Sequence, residues 1–398
     1  MNALIRADPA SKDEKGEDCM RYLFTCGGTA GHINPAVGVA QRLRELDPDC
    51  GILFVGAKGH MESELVPREG FDIELVEITN ISRELNLEGL KHNINTAKNV
   101  ISSTGEAKRI ISRFKPDVVI GTGGYVCYPV LKAAHGMKIP TVVHESNAVP
   151  GLTTKMLSGT ADRILVGFEE SRQYYRHADR VIVTGTPVRE EFRTVSKAQA
   201  RAKLGIDPDK PLIVSVWGSL GAAFMNKTMV GFIEKALGNP FFSLIHSAGK
   251  SGYKTMISDM DKKNIINAKA RGMEVREYIY DMPLVMAAAD LVICRSGAST
   301  LSELCVLGKP AILVPSPNVT NNHQEKNARV LEKAGAAVLI PENEITPDKL
   351  LGSVSLLLSR PDTLDAMSAQ MRGIGVSDAT ERIADIVLDL SKKSPQRH

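Results

Sequence analysis

His32 stands in a glycine-rich segment, Cys26–Pro35 (CGGTAGHINP), that directly follows an apolar run. Glycines at the end of a strand permit a tight turn, and the backbone N–H groups and helix start that follow can hold an anion. An imidazole facing a cleft from such a turn is a good general base, because its ordinary pKa is close to neutral pH. Taken alone, this motif is better interpreted as a connecting turn with a structural histidine.

The same segment departs from the nicotinamide dinucleotide fingerprint. That fingerprint requires a glycine at the position of Cys26 and an acidic residue at the end of the next strand, which here ends Val55–Gly56–Ala57. The sequence therefore disfavours hydride transfer.

A second anion-binding pattern is Arg295–Glu303 (RSGASTLSE), after the apolar run LVIC. Free N–H groups at a helix start, with the hydroxyls of Ser299 and Thr300, could hold a pyrophosphate without a metal. Glu303 could accept two hydrogen bonds from vicinal ribose hydroxyls. The spacing of Thr300 and Glu303 also matches a capping box, which would satisfy only the helix itself, and the pattern leaves both interpretations open.

Three more polar segments follow apolar runs: Gly121–Tyr125 (GTGGY), His144–Gly151 (HESNAVPG) and Trp217–Ala222 (WGSLGA). Polar residues at the end of a strand are where function concentrates, although each segment could be a plain turn. No metal-ligand spacing is present in the sequence, so helix dipoles and Arg189 would meet the charge of a pyrophosphate.

Short apolar runs alternate with helical stretches throughout, a pattern that predicts parallel sheets covered on both faces. The pattern restarts at Pro211, which indicates two Rossmann-like α/β domains with ligands in the cleft between them. We expect the first helix to begin near Pro35. We expect a disordered tail at 1–19, domains at 20–186 and 187–372, and a C-terminal helical segment at 373–395 that can pack back on the first domain.

Composition narrows the class of protein. The 398 residues are 43% hydrophobic and 24% charged, with a formal net charge of +3, which is compatible with anionic ligands or an anionic membrane surface. Basic residues are not clustered as in a nucleic-acid binder. The six cysteines form no Cys-x-x-Cys pair and are expected to be reduced. No apolar stretch has the roughly 18–20 residues needed to span a bilayer.

Six motifs together resemble glycosyltransferase family 28, over about Met20 to the last helix. They occur in the order GGTAGHINP, HESNAVPGLT, GTPVR, GSLGA, CRSGASTLSE and NNHQEKNA. Three residues depart from the family pattern: Ala30 replaces a glycine, Thr186 an asparagine and Leu220 a glutamine. An alanine at position 30 requires a negative φ or a small strain.

The resemblance implies a GT-B fold and a cofactor-free, metal-independent, inverting reaction in peptidoglycan synthesis. N-acetylglucosamine would pass from UDP-N-acetylglucosamine to the muramyl C4 hydroxyl of an undecaprenyl-pyrophosphate-linked muramyl peptide. The first domain would take the acceptor and the second the donor. The resemblance also implies a peripheral enzyme on the cytoplasmic face of the cell membrane.

The resemblance also implies roles for the residues of this chain that match the family's motifs. His32 would be the catalytic base, and Tyr125, His144 and Glu145 acceptor-side residues. Glu303 would bind the ribose, the Ile279 backbone the uracil and Gln324 the sugar hydroxyls. The full set of implied donor contacts is Thr29, Ala30, Gly31, Asn147, Arg189, Ser219, Ile279, Ala298, Ser299, Thr300, Leu301, Ser302, Glu303 and Gln324.

Other functions remain open at this point: a GT-B transferase with a different lipid acceptor, a UDP-N-acetylglucosamine 2-epimerase, or a non-catalytic partner protein. The segment Ile78–Lys98 mixes leucines and isoleucines with basic residues and is a candidate for docking on anionic lipid. Its leucines could equally face the domain core.

Overall fold

Two parallel sheets organise the computed structural model, which describes residues 19–78, 102–218, 221–238 and 241–394. The strands of the first sheet are β1 Arg21–Thr25, β2 Gly51–Ala57, β3 Asp72–Val76, β4 Val118–Gly121, β5 Thr141–Glu145, β6 Arg163–Val166 and β7 Val181–Val183. In this part of the chain they lie in the order β3-β2-β1-β4-β5-β6-β7. The helices between them are α1 Ala30–Leu46, α2 Glu62–Arg68, α3 at 102–114, α4 Cys127–Gly136 and α5 Leu152–Leu157.

The second sheet has the strands β8 Leu212–Val216, β9 Ser243–Ser247, β10 Met273–Arg276, β11 Leu291–Cys294, β12 Ala311–Leu313 and β13 Ala337–Leu339. Within the described residues their order is β10-β9-β8-β11-β12-β13. The remaining helices are α6 Glu191–Thr194, α7 Lys197–Leu204, α8 Ala223–Ala236, α9 Tyr253–Lys262, α10 Met282–Ala288, α11 Ala298–Leu307, α12 His323–Lys333, α13 Pro347–Leu358, α14 Pro361–Ile374 and α15 Ala379–Ser391.

Successive residues of the central strands pack into different cores. In β1, Leu23 belongs to one buried cluster while Tyr22 and Phe24 belong to another on the opposite face. Parallel sheets are covered by helices on both faces, which is why these strands are mostly apolar. The two Rossmann-like sheets confirm the predicted α/β class and the GT-B fold.

The last helix returns to the first sheet. Ile383, Ala384 and Val387 of α15 pack in the same buried cluster as Val37 and Ala40 of α1. An ion pair of 2.7 Å between Arg193 and Glu381 also ties the region after β7 to this helix. The chain therefore crosses between the two sheets twice.

The expected start of the first helix was wrong. Helix α1 begins at Ala30 rather than near Pro35, which lies inside it. Proline forfeits a single backbone hydrogen bond there, and the helix continues through it. His32 therefore lies in the first turn of α1, and Ala30 replaces a glycine without requiring a positive φ.

Strands β3, β10 and β13 were not predicted from the sequence, and each lies at the edge of a sheet. The candidate docking segment Ile78–Lys98, apart from Ile78, and the predicted tail at 1–19, apart from Cys19, lie outside the described residues. No helix in the described part of the chain is long and apolar enough to span a bilayer.

Candidate active site

Two helix N-termini face each other across the cleft between the sheets. Helix α1 starts after Thr29 and α11 starts after Gly297, and neither first turn has a side-chain cap among the described residues. A Cβ placed on Gly31 would lie 3.4 Å from the Oγ atom of Ser299, so the two turns are in contact distance. The positive ends of two helix dipoles thus lie close together, where they would stabilise a diphosphate.

The turn after β1 is held by a buried carboxylate. Glu62 is 0% exposed, and its two oxygens accept hydrogen bonds of 3.0 Å from the N–H groups of Gly28 and Ala57. A Cβ on Gly27 would lie 2.6 Å from the same carboxylate, which explains the glycine there. Sequence reasoning missed Glu62, because it sought an acid at the end of β2 rather than at the start of α2.

His32 is oriented by the turn that precedes it. Its Nδ1 atom lies 2.8 Å from the Gly27 carbonyl oxygen, which can only accept, so the proton resides on Nδ1 and Nε2 carries the lone pair. Gly123, with φ of 122°, makes room for the ring, since a Cβ there would lie 2.9 Å from Nε2. The neutral imidazole is therefore held in the form that can accept a proton at Nε2.

A cavity of about 380 Å³ opens beside His32. Tyr125, Glu145 and Asn147 line it from the first half of the chain, and Thr320 and His323 line it from the second. The cavity is thus lined by residues from both halves of the chain.

Glu145 shapes the loop that follows β5. One of its oxygens accepts hydrogen bonds from the backbone N–H (3.1 Å) and the side-chain Nδ2 (2.9 Å) of Asn147, and the other accepts from the Gly151 N–H at 2.8 Å. Asn147, which the resemblance assigns to the donor, is thereby already engaged by protein groups, although it also lines the cavity.

His144 does not line this cavity. It is 2% exposed, its Nε2 atom lies 3.0 Å from the Gly185 carbonyl oxygen and its Nδ1 atom lies 3.4 Å from the Ser146 hydroxyl. Burial lowers the pKa of this imidazole below its ordinary value. His144 therefore joins β5 to the chain after β7, and its acceptor-side role stays a prediction from the resemblance.

The capping-box interpretation of Thr300 and Glu303 is wrong. The N-cap of α11 is Gly297, which places Thr300 at the third helical position. Burial raises the pKa of the Glu303 carboxyl group to about 7, and the nearby Arg189 guanidinium opposes this shift. Glu303 therefore does not cap this helix and remains a candidate for a ligand contact.

The other residues implied to contact the donor differ in their burial and in their hydrogen bonds within the protein. Leu301 is 0% exposed and its N–H donates to the Gly297 carbonyl at 3.0 Å, so its side chain packs in the core and its donor contact stays a prediction. The Ile279 side chain is also buried, which leaves its backbone for a ligand. Gln324 accepts a hydrogen bond of 2.8 Å from the Ser316 N–H. Ser219 and Leu220 lie outside the described residues.

Ser302, near the start of α11, also belongs to the implied donor set. The Ser302 hydroxyl donates to the Ala298 carbonyl oxygen at 3.0 Å, one turn earlier in the same helix. Among the described residues, no three His, Cys, Asp or Glu side chains are grouped so that they could hold a metal.

Comparison with known proteins agrees with this geometry. Residues 22–166 match the glycosyltransferase family 28 N-terminal domain, and residues 212–384 match the glycosyltransferase family 28 C-terminal domain. A crystal structure of MurG from Acinetobacter baumannii aligns with a TM-score of 0.75 at 27% identity, covering 93% of this chain and 99% of that one. A UDP-GlcNAc 2-epimerase from Neisseria meningitidis aligns with a TM-score of 0.62 at 17% identity, which reflects the shared fold alone.

Curated relatives match over almost their whole length. A protein of Acetivibrio thermocellus is 44% identical over 94% of this chain and 99% of its own length. One of Halalkalibacterium halodurans is 39% identical over 94% of this chain and all of its own length. Both are named UDP-N-acetylglucosamine–N-acetylmuramyl-(pentapeptide) pyrophosphoryl-undecaprenol N-acetylglucosamine transferase.

The fold and the facing helix N-termini are those of a GT-B glycosyltransferase. The chain belongs to glycosyltransferase family 28, as the two domain matches and the full-length relatives establish.

Proposed function

We propose that this protein transfers N-acetylglucosamine from UDP-N-acetylglucosamine to the muramyl C4 hydroxyl of a polyprenyl-pyrophosphate-linked muramyl peptide, with inversion at the anomeric carbon. The observation that carries the proposal is the meeting of two uncapped helix N-termini beside an imidazole whose Nε2 can accept a proton. The name shared by the full-length relatives supplies the substrate pair.

The donor diphosphate would lie between the starts of α1 and α11. Backbone N–H groups at Thr29–Gly31 and Ala298–Ser299 and the Arg189 guanidinium supply positive potential there. We therefore expect the reaction to proceed without a metal. Ionised Glu303 would accept hydrogen bonds from the ribose, and the Ile279 backbone would pair with the uracil.

His32 would act as the general base. As the acceptor hydroxyl oxygen bonds to the anomeric carbon, its proton passes to Nε2 of His32 and the bond from that carbon to the diphosphate oxygen breaks. UDP departs from the opposite face with the bonding electron pair, which inverts the configuration. The two helix N-termini stabilise the charge that develops on the leaving oxygen.

The cavity beside His32 is the proposed acceptor site. Leu152 lines it, and Leu152, Met156 and Tyr174 are among the exposed large apolar side chains of the described residues. The Lys155 ammonium lies 5.7 Å from the centre of the Tyr174 ring. Apolar side chains next to a cation suit the interface of an anionic bilayer, so we propose peripheral binding at the cytoplasmic face of the membrane.

We assign the acceptor and membrane side to residues 20–186 and the donor to residues 187–372, with 373–395 returning to the first domain. The buried contact between α15 and α1 supports the last assignment. We expect no nucleic-acid partner, because basic residues are not clustered along the sequence.

The test is release of UDP from UDP-N-acetylglucosamine in the presence of a short-chain, lipid-linked muramyl peptide. We expect turnover that requires this acceptor and a strong preference over UDP-glucose, since a site that hydrogen-bonds one substituent rejects a donor that lacks it. Equal kcat/KM for the two donors would contradict the assigned sugar. Epimerisation of the donor without acceptor would instead indicate the epimerase alternative.

Membrane binding is tested by co-sedimentation with vesicles. We expect binding to phosphatidylglycerol vesicles at low salt, reduced at high salt and absent with phosphatidylcholine alone. Replacement of Lys155 by Glu should weaken binding and leave turnover of the short-chain acceptor unchanged. Loss of both together would show that α5 contacts the acceptor or supports the fold.

A further inference from the structure

A single buried amide joins the two ligand-binding turns. Asn327 lies in α12, is 0% exposed and has hydrogen-bond partners in both halves of the chain. Its Oδ1 atom accepts from the Ala148 N–H at 2.9 Å. Its Nδ2 atom donates to the Asn147 Oδ1 atom at 3.0 Å and to the Ser296 carbonyl oxygen at 3.3 Å.

The orientation of this amide is fixed by its partners. Its oxygen meets an N–H donor and its nitrogen meets two oxygens, so the flipped amide would oppose donor to donor and acceptor to acceptor. A buried polar group left without its partners costs considerably more than the bond itself contributes. The arrangement therefore holds only while both turns keep their present positions.

The chain of contacts extends to the ligand sites on both sides. Ser296 directly precedes Gly297, the N-cap of the proposed diphosphate helix α11. On the other side, Asn147 donates to Glu145, and both residues line the proposed acceptor cavity. Asn327 thus lies between the start of the donor site and the wall of the acceptor site.

We propose that Asn327 is a positioning residue that couples occupancy of the donor turn at Ser296–Gly297 to the order of the acceptor wall at Glu145–Gly151. The naming of these turns as donor and acceptor sites rests on the proposed function. The coupling itself is a property of the hydrogen-bonded network. Asn147 then acts by supporting the wall through Asn327 and Glu145, in addition to any direct contact with the donor.

Hydrogen exchange of the full-length protein, with UDP as the probe, tests the coupling. We expect UDP to slow exchange both at 296–303 and at 145–151 in the wild type. Asn327→Asp retains an oxygen for the Ala148 N–H but loses both donated bonds, so UDP should then slow exchange at 296–303 only. Asn327→Ala should also speed exchange of the Ala148 amide in the free protein by about tenfold.

The matched control is Arg329→Ala, on the exposed face of the same helix, where the guanidinium pairs with Glu325 and Glu332. It should keep the UDP response at both segments. If Asn327→Asp fails to fold in a thermal melt, because its buried carboxylate faces two oxygens, Asn327→Ala carries the test.

Steady-state kinetics separate coupling from a general loss of structure. In Asn327→Asp we expect KM for the acceptor to rise about tenfold, with UDP affinity and kcat within about threefold of wild type. A UDP response at 145–151 that is absent in the wild type, or that persists in both Asn327 variants, overturns the proposal. Absence of transferase activity with any acceptor would contradict the proposed function, while the exchange result would still decide the coupling.

Discussion

The two glycine-rich turns of the molecule have the same strand–turn–helix arrangement. They differ in whether a protein side chain binds their backbone N–H groups. Each follows a central strand and opens a helix, β1 into α1 and β11 into α11. In the first turn, the carboxylate of Glu62 binds the Gly28 N–H from inside the protein. In the second, the N-cap Gly297 has no side-chain partner within the described residues, and Ser299 and Thr300 are partly exposed.

This difference shows how one strand–turn–helix unit can serve two purposes. An internal carboxylate fixes the first turn and places negative charge behind it, which favours a rigid support for His32. The second turn keeps its backbone donors and helix dipole for an external anion. The first turn therefore positions the proposed base, while the second is the proposed site of the leaving diphosphate.

The largest expected effect comes from removing the base. We expect His32→Ala to lower kcat by about 10²–10⁴-fold while UDP affinity is retained, because loss of a general base affects the transition state. The measurement is steady-state kinetics beside calorimetric UDP binding. His135→Ala, an exposed histidine of α4 that does not line the cavity, is the control and should stay near wild type. Unchanged kcat with a raised donor KM would make His32 a binding residue.

Next in size is the effect of Glu62→Gln on stability. One carboxylate oxygen becomes an amide nitrogen facing an N–H donor, so we expect the free energy of unfolding to fall by about 2–3 kcal/mol. Denaturant unfolding measures it. Glu64→Gln in the same helix removes only an exposed ion pair with Arg68 and should change stability by less than about 1 kcal/mol. Equal losses in the two variants would refute a special role for the buried carboxylate.

In the second turn, Glu303→Ala should act on binding rather than on stability. We expect UDP affinity to fall about tenfold, since two hydrogen bonds to the ribose are lost. Loss of a helix cap would instead cost about 1 kcal/mol of stability with little change in affinity. Calorimetry and a thermal melt on the same variant distinguish these outcomes, and a variant that melts lower yet binds UDP normally would show that Glu303 supports the fold and not the ligand.

The smallest effect is the pH dependence that Glu303 imposes. Its pKa is raised from 4.5 to about 7, so the folded protein holds a proton that the unfolded chain has lost, and stability falls as pH rises between these values. Uridine, which carries no phosphate, should bind several-fold more weakly at pH 6 than at pH 8, because the neutral carboxyl accepts fewer hydrogen bonds. Glu303→Gln should flatten both profiles. A pH dependence that survives in this variant would assign it to another group.

The central strands and the motif positions were predictable because each is a pattern within a short, continuous stretch of the sequence. Continuous apolar runs predicted β1, β4, β8 and β11, since a strand buried on both faces is mostly apolar. Glycine-rich segments after these runs located His32 and the Ala298–Glu303 helix start. The strands that escaped prediction lie at sheet edges, and β3 and β10 carry charged residues such as Glu74 and Arg276.

What the sequence alone determined is the order of the central strands and the glycine-rich turns after them, and the family to which their motifs belong. Only the tertiary structure decided which polar groups satisfy one another. Glu62 lies 34 residues from Gly28, and Asn327 lies 179 residues from Ala148, so no local pattern marks either pair. The same limit applies to Thr300 and Glu303, whose spacing fits a capping box although the helix begins at Ala298. The local spacing of residues shows which hydrogen bonds are possible. Which of them form depends on which polar groups are buried together in the folded chain.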